Sequence, residues 1–216
     1  MKLSEGTLEV LQNFSTINNS LWFEKGNILR TITPSKNILA IAEVPDSFPT
    51  DFGIYDLDNL RSVISLFGDD YDMKFDDEKN LKIIGKTKIS YRLTDKELIT
   101  EIPKKTLNVS DPIETFEISS DTLAFMLKSA KVLQAEYIAI EGDGENLNLR
   151  VFDKKELKEN VFQIKESSTK VAMKFNVDHF KLLPRAYHVS VTERFAYFKT
   201  ADMKVQYWIS QTTEKA

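Results

Sequence analysis

The side chains that most often do chemistry are thinly spread in this sequence. It has no cysteine, which removes disulfides, thiolate metal sites and cysteine nucleophiles. The two histidines, His179 and His188, stand nine residues apart, one in a short helical stretch and one in a predicted strand. Two histidines without cysteine complete no usual zinc set unless carboxylates join them. The densest carboxylate run is Asp69-Asp70-Tyr71-Asp72 followed by Asp76-Asp77-Glu78, which could hold a hard cation such as Mg²⁺. Its spacing is not that of an EF-hand loop, and no glycine stands where such a loop turns sharply. A helix end followed by a hairpin turn explains it more simply. Gly142-Asp143-Gly144-Glu145-Asn146 lacks the Gly-Lys-Ser/Thr that cradles a nucleotide phosphate, and no helix follows it. It reads as a hairpin turn. No nucleophile stands at a recognisable spacing from a base. The expectation is a binding or structural protein, not an enzyme, with no metal and no cofactor.

The cations are more informative. Lys128 and Lys131 lie three apart, on the polar side of a predicted helix. Arg61 has the same position on an earlier helix, and Lys181 and Arg185 lie in or just after a later one. A basic helical face can meet a phosphate backbone without reading bases. The plainer reading is that late helical cations complement the helix dipole.

Four segments with helical spacing carry these residues: Ser4–Phe14, Asp58–Phe67, Ser120–Gln134 and the short Asp178–Leu183, which Pro184 ends. Each begins at a Ser or Asp able to satisfy the free N–H groups of a first turn. Their apolar stripes are Leu8, Leu11 and Phe14; Leu60, Ile64 and Phe67; and Leu123, Met126, Leu127, Ala130 and Leu133. Between helices the chain alternates with period two, as short strands do, and turn signals separate about three or four strands per interval. Helix starts near 4, 58, 120 and 178 make a helix-then-strands unit repeated four times. Thr94–Thr115, with Pro103, Pro112 and Lys104-Lys105, breaks the rhythm. It divides the chain into residues 1–93, a connector over 94–115, and residues 116–216. The class is α+β, two similar domains each with two helices on antiparallel sheets.

Composition sets outer bounds. The 216 residues are 42% hydrophobic, enough for one large or two small cores. Net charge is −4. Residues 1–110 carry 14 basic and 17 acidic side chains, and residues 111–216 carry 15 and 16. Neither half is the strongly basic domain of a tight DNA binder. No window approaches the ~20 apolar residues of a membrane span, and the N-terminus has no secretory run.

Several stretches resemble the T-even phage sliding clamps. They are Met1-Lys2-Leu3-Ser4, Leu11-Gln12-Asn13-Phe14-Ser15-Thr16-Ile17-Asn18, and Ile54-Tyr55-Asp56-Leu57 running to Ile64-Ser65-Leu66 and Asp69-Asp70. Leu127 to Ile140, Leu183-Pro184, Tyr187-His188-Val189 and Val205-Gln206-Tyr207-Trp208-Ile209 are similar to later parts of such clamps. The match is most specific in the first third; the connector and Asp153–Thr169 match poorly. The resemblance implies a DNA clamp fold assembling as a homotrimeric ring, with helices lining a central hole and sheets forming the outer wall. It implies a processivity factor that encircles double-stranded DNA without reading sequence and tethers the replicative DNA polymerase. It further implies loading by an ATP-dependent clamp loader, a role for a late sigma-like transcription factor, and work in the cytoplasm of an infected bacterium. The DNA-facing cations it implies are Lys2, Arg61, Lys128, Lys131, Lys181 and Arg185. The first helix departs from this pattern, carrying Glu5, Glu9, Gln12 and Asn13 with only Lys2 before it. Ile99, Ile102 and Pro103, with Tyr207 and Trp208, are the candidate lining of a partner-peptide pocket; core packing explains the last two equally well. Two other readings remain at this point. One is a non-enzymatic phage ring or tube protein, and the other is a metal-dependent enzyme using the carboxylates of residues 69–78.

Overall fold

The computed structural model describes residues 1–77, 79–103, 107 and 109–212. The chain divides into two compact units, Met1–Lys104 and Lys105–Ala216.

In the first unit, α1 (Glu5–Ile17) starts where Ser4 Oγ accepts from the Thr7 N–H, and it buries Thr7, Val10, Leu11, Phe14 and Ile17. The helix runs three residues beyond the predicted end because Ile17 continues the apolar stripe. Four strands follow: β1 (Leu21–Phe23), β2 (Gly26–Ile32), β3 (Ile38–Phe48) and β4 (Phe52–Ile54). β1 pairs with β4 and β2 with β3, all antiparallel. α2 (Leu57–Ser65) is capped by Asp56, whose carboxylate accepts from Asn59 N–H at 2.8 Å, and it buries Leu57, Leu60 and Ile64. Phe67 falls past its end. A three-stranded sheet closes the unit: β5 (Asp72–Asp77), β6 (Asn80–Ile84) and β7 (Lys88–Arg92), in that order. Alternation turns Met73, Leu81 and Ile83 inward.

In the second unit, β8 (Glu114–Ile118) leads to α3 (Ser120–Leu133). Ser119 caps α3 by accepting from Thr122 N–H at 3.0 Å, and Gln134 ends it in the left-handed region at φ 54°. Leu123, Met126 and Ala130 are the buried stripe. β9 (Tyr137–Asp143), β10 (Asn146–Phe152), β11 (Glu159–Glu166) and β12 (Lys170–Asn176) form one sheet in the order β11-β10-β9-β12. β13 (Tyr187–Val191), β14 (Phe195–Lys199) and β15 (Val205–Ser210) join β8 in the order β15-β14-β13-β8. Residues 142–146 make the expected hairpin turn. Gly144 has φ +99°, and Asp143 accepts from the N–H groups of Glu145 and Asn146.

Two expectations change. The fourth helix is absent: Val177–His179 is a single 3-10 turn, and the following residues are irregular. The second unit therefore has one α-helix rather than two. Pro184 disfavours helical geometry at Leu183. Tertiary partners also take that residue's backbone groups: Leu183 N–H donates to Tyr207 Oη, and Tyr187 Oη donates to Leu183 O. The connector, in turn, is mostly part of the units. Thr94 N–H donates to Gly53 O at 2.9 Å, so close that a Cβ at Gly53 would run into Thr94 O. Asn18 Nδ2 donates to Thr100 Oγ1, and Ile99 is buried. At the other end, Ile113 N–H donates to Val191 O. The division falls between Lys104 and Lys105, which with Thr106 and Asn108 lie outside the described residues.

Candidate nucleic-acid interface and partner groove

The predicted cations divide into three groups. On the first unit, Lys2 Nζ lies 3.1 Å from Asp69 Oδ1, and Arg61 Nη1 lies 3.0 Å from Asp58 Oδ1 in the first turn of α2. Both line a groove between α1 and α2 that also holds Glu5, Glu9 and Asp46. This face is neutralised where it is not acidic. On the second unit, Lys128 and Lys131 are exposed along α3, and neither forms an ion pair among the described residues. They share the outer face with Asp121 and Ala124. Lys181 and Arg185 lie on the irregular stretch after the 3-10 turn, both half-buried, not on a helical face.

Asp69 and Asp72 are drawn to cations rather than to each other. Asp69 pairs with Lys2, and Asp72 accepts from the Met1 ammonium and lies 3.7 Å from Lys74. The bond from the Met1 ammonium is the main reason Asp72 titrates below the usual carboxylate range. The side chains of Asp76, Asp77 and Glu78 lie outside the described residues. Among the described residues no three His, Asp or Glu gather as metal ligands. His188 Nδ1 sits 3.1 Å from Glu117, while burial lowers the pKa of His179 on its own element.

The partner-pocket residues separate as well. Ile99, Ile102 and Pro103 line a groove of about 650 Å³ in the first unit with Trp22, Ile28 and Arg30. Sequence reading missed Trp22, although alternation in Leu21-Trp22-Phe23 turns it away from its two buried neighbours. Lys96 Nζ stands 5.2 Å over its ring, and Arg30 is held by Glu24 at 2.5 Å. Tyr207 and Trp208 are core residues of the second unit, 0% and 3% exposed. Tyr207 packs edge-on to Tyr187, and Trp208 tilts against Tyr197 at 4.8 Å.

A family model described as DNA polymerase processivity factor matches residues 3–105. The chain is 28% identical over 204 residues to the sliding clamp of Vibrio phage KVP40, covering 88% of this chain and 90% of that one. It is 27% identical over 157 residues to the sliding clamp of Escherichia phage RB69, covering 72% and 68%. The chain is thus similar to the sliding clamps of T-even-type phages. The fold agrees. A clamp solved from A. fulgidus with the C-terminal region of FEN-1 bound superposes with a TM-score of 0.71 over 97% of this chain and 96% of that one, at 14% identity. The matching model and relatives are named for a polymerase processivity factor and for sliding clamps, which supports a DNA-tethering role over an enzymatic one. No described helix is long and apolar enough to cross a membrane.

Proposed function

We propose that this clamp closes as a homotrimer into a ring around duplex DNA in the infected cell and holds the replicative polymerase there. The observation that carries the closed ring is a pair of free strand edges, one in each unit. Among the described residues β7 pairs only with β6, and β11 only with β10. Other edges are partly covered: Met73 N–H donates to Met1 O beside β5, and Thr212 N–H donates to Lys174 O beside β12. An unpaired edge is a template for another chain. Two unlike edges on one subunit favour a head-to-tail contact, which gives a ring when the rotation closes. Phe125, Val132, Leu157 and Val161 are exposed on α3 and at β11, and Phe125 meets Phe162 edge-on at 5.7 Å. That apolar area suits burial against a neighbouring subunit.

A ring retains DNA by topology, so its phosphate contacts work best when weak enough to slide. Lys128 and Lys131 supply such contacts without base readout. The groove at Trp22, Ile99, Ile102 and Pro103 takes a short peptide of the polymerase. Aromatic and aliphatic walls with a polar rim suit such anchors. The same groove serves an ATP-dependent clamp loader and a late sigma-like transcription factor. Native mass spectrometry tests the assembly. The expected mass is three times the 24.8 kDa chain. A single-chain mass at high protein concentration contradicts the ring.

A further inference from the structure

The turn between β10 and β11 holds an apolar side chain out among cations. Asp153 Oδ1 accepts from the N–H groups of Leu157 and Lys158 at 2.8 and 3.2 Å, and Glu136 Oε2 accepts from Lys154 N–H at 2.8 Å. Glu156, at φ 54°, is drawn back to Arg150 at 3.0 Å. Both carboxylates of the turn are therefore occupied in fixing its shape. What it presents to solvent is Leu157, 77% exposed, with Lys154, Lys155 and Lys158 around it. None of the three ammonium groups has an ion-pair partner among the described residues. A leucine already held in a fixed turn loses little freedom on docking.

The first unit carries the complementary surface. Thr94 N–H donates to Gly53 O, and a Cβ at Gly53 would lie 2.9 Å from Ile99 Cδ1, so the chain leaves and returns over one glycine. Residues 95–98 project between those two points, Lys96–Leu98 as a 3-10 turn, just past the end of β7. Leu98 is 63% exposed, and Asp95 and Glu97 beside it are exposed too. Neither carboxylate has an ion-pair partner among the described residues. The intervening Lys96 is turned to the Trp22 ring at 5.2 Å.

Strand geometry connects the two turns. Leu93 N–H donates to Lys79 O, towards β6, so Lys88, Ser90 and Arg92 turn their backbone groups to the free side of β7. Lys158 O accepts from Asp153 N–H, towards β10, so Glu159, Val161 and Gln163 do the same on β11. Antiparallel pairing of these edges with Arg92 opposite Glu159 aligns Ile89 with Phe162. It also carries the β10–β11 turn to residues 94–98 of the neighbouring copy. Parallel pairing would carry it to Lys86 and Lys88 instead, against like charge. We propose that the turn of residues 153–158 docks on the turn of residues 95–98 of a second copy of this chain, Leu157 against Leu98 and the three lysines against Asp95 and Glu97. The inference rests on the ring reading and deepens it: free edges alone leave the direction of pairing open, and the two turns fix it. Ion pairs around one small apolar contact make the closure salt-sensitive.

The chain has no cysteine, so a cysteine placed in either turn is its only thiol. Full-length Leu98→Cys and Leu157→Cys chains, both altered at exposed positions, are co-assembled and treated with a short bismaleimide. A covalent dimer should form in the mixture and in neither variant alone. The variant Lys154→Glu/Lys155→Glu/Lys158→Glu should fall apart at about tenfold higher protein concentration than the unaltered chain at low salt, and adding Asp95→Lys/Glu97→Lys should restore assembly. No cross-link in a protein that native mass spectrometry shows as a trimer overturns the docking and leaves the ring standing. A lysine-reversed variant that assembles as tightly as the unaltered chain overturns the docking as well. A single-chain mass for the unaltered protein overturns ring and docking together.

Discussion

The two units solve one structural problem alike and one electrostatic problem differently. Each pins the start of its first helix–sheet segment with a carboxylate. In the first unit Asp46 Oδ2 accepts from Ser4 N–H at 2.7 Å and from Ser4 Oγ–H at 2.8 Å; burial would raise its pKa, but the Thr7 hydroxyl together with these two bonds outweighs that and lowers it. In the second unit Glu114 is buried at the head of β8, where burial alone would raise its pKa. Hydrogen bonds from Lys165, Ser167 and the Thr115 N–H outweigh that and hold it at about 2. The helical faces then diverge. The α1–α2 face keeps its cations in pairs with Asp58 and Asp69, whereas Lys128 and Lys131 on α3 have no ion-pair partner among the described residues. The same architecture therefore carries unpaired helical cations on one unit and paired ones on the other, among the described residues.

The sharpest way to break that contrast is charge reversal on α3. Lys128→Glu/Lys131→Glu should reduce polymerase processivity on loaded DNA at least tenfold, with the salt slope of duplex binding falling by about 2. Unchanged processivity would remove α3 from the DNA path. It would also favour a structural ring protein over a clamp.

The next largest effect concerns the two pins. Glu114→Gln should destabilise the second unit by about 3 kcal/mol at neutral pH, because 1 pKa unit corresponds to 1.36 kcal/mol and the neutral amide cannot hold the Lys165 ammonium as the buried carboxylate does. Glu114 has a folded pKa below its unfolded value of 4.5, so its contribution is full above that value. It is lost as pH falls from about 4.5 towards 2. Melting curves of the two proteins should converge over that window; parallel curves down to pH 2 would show that Glu114 is not the acid-sensitive group.

Helix caps give a smaller and symmetrical change. Ser119→Ala should cost about 1 kcal/mol. Ser4→Ala should cost more, because it also deprives Asp46 of a donor. Denaturant midpoints compare them, and equal losses would argue that the Asp46 bond adds nothing. The smallest change is a gain. Asp58→Asn/Asp69→Asn should release Arg61 and Lys2 and raise duplex affinity two- to fivefold. Stability should move by less than about 1 kcal/mol, as for exposed ion pairs.

Much of the fold was legible because it rests on local rules. Ser4 and Ser119 cap helices as their side chains dictate, and Asp56 does the same two residues before the predicted start of α2. The α3 stripe was visible in spacing alone. The missing fourth helix was not, since Tyr207, distant in sequence, captures the Leu183 N–H while Tyr187 takes its carbonyl. The site was less legible for the same reason. Periodicity placed Lys128 and Lys131 on an exposed face, but nothing local revealed that Asp69 would reach Lys2 across 67 residues. Tyr207 and Trp208 illustrate the converse: an aromatic pair on a closing strand serves an anchor or a core equally well until burial is known.

Retention on DNA of defined topology tests the ring most directly. The clamp, loaded and crosslinked on a nicked circular duplex, should stay bound through a high-salt wash and leave when one enzyme cut linearises the circle. Equal retention on the circle and on the linear product, or loss of both in salt, would contradict a ring that holds DNA by encircling it.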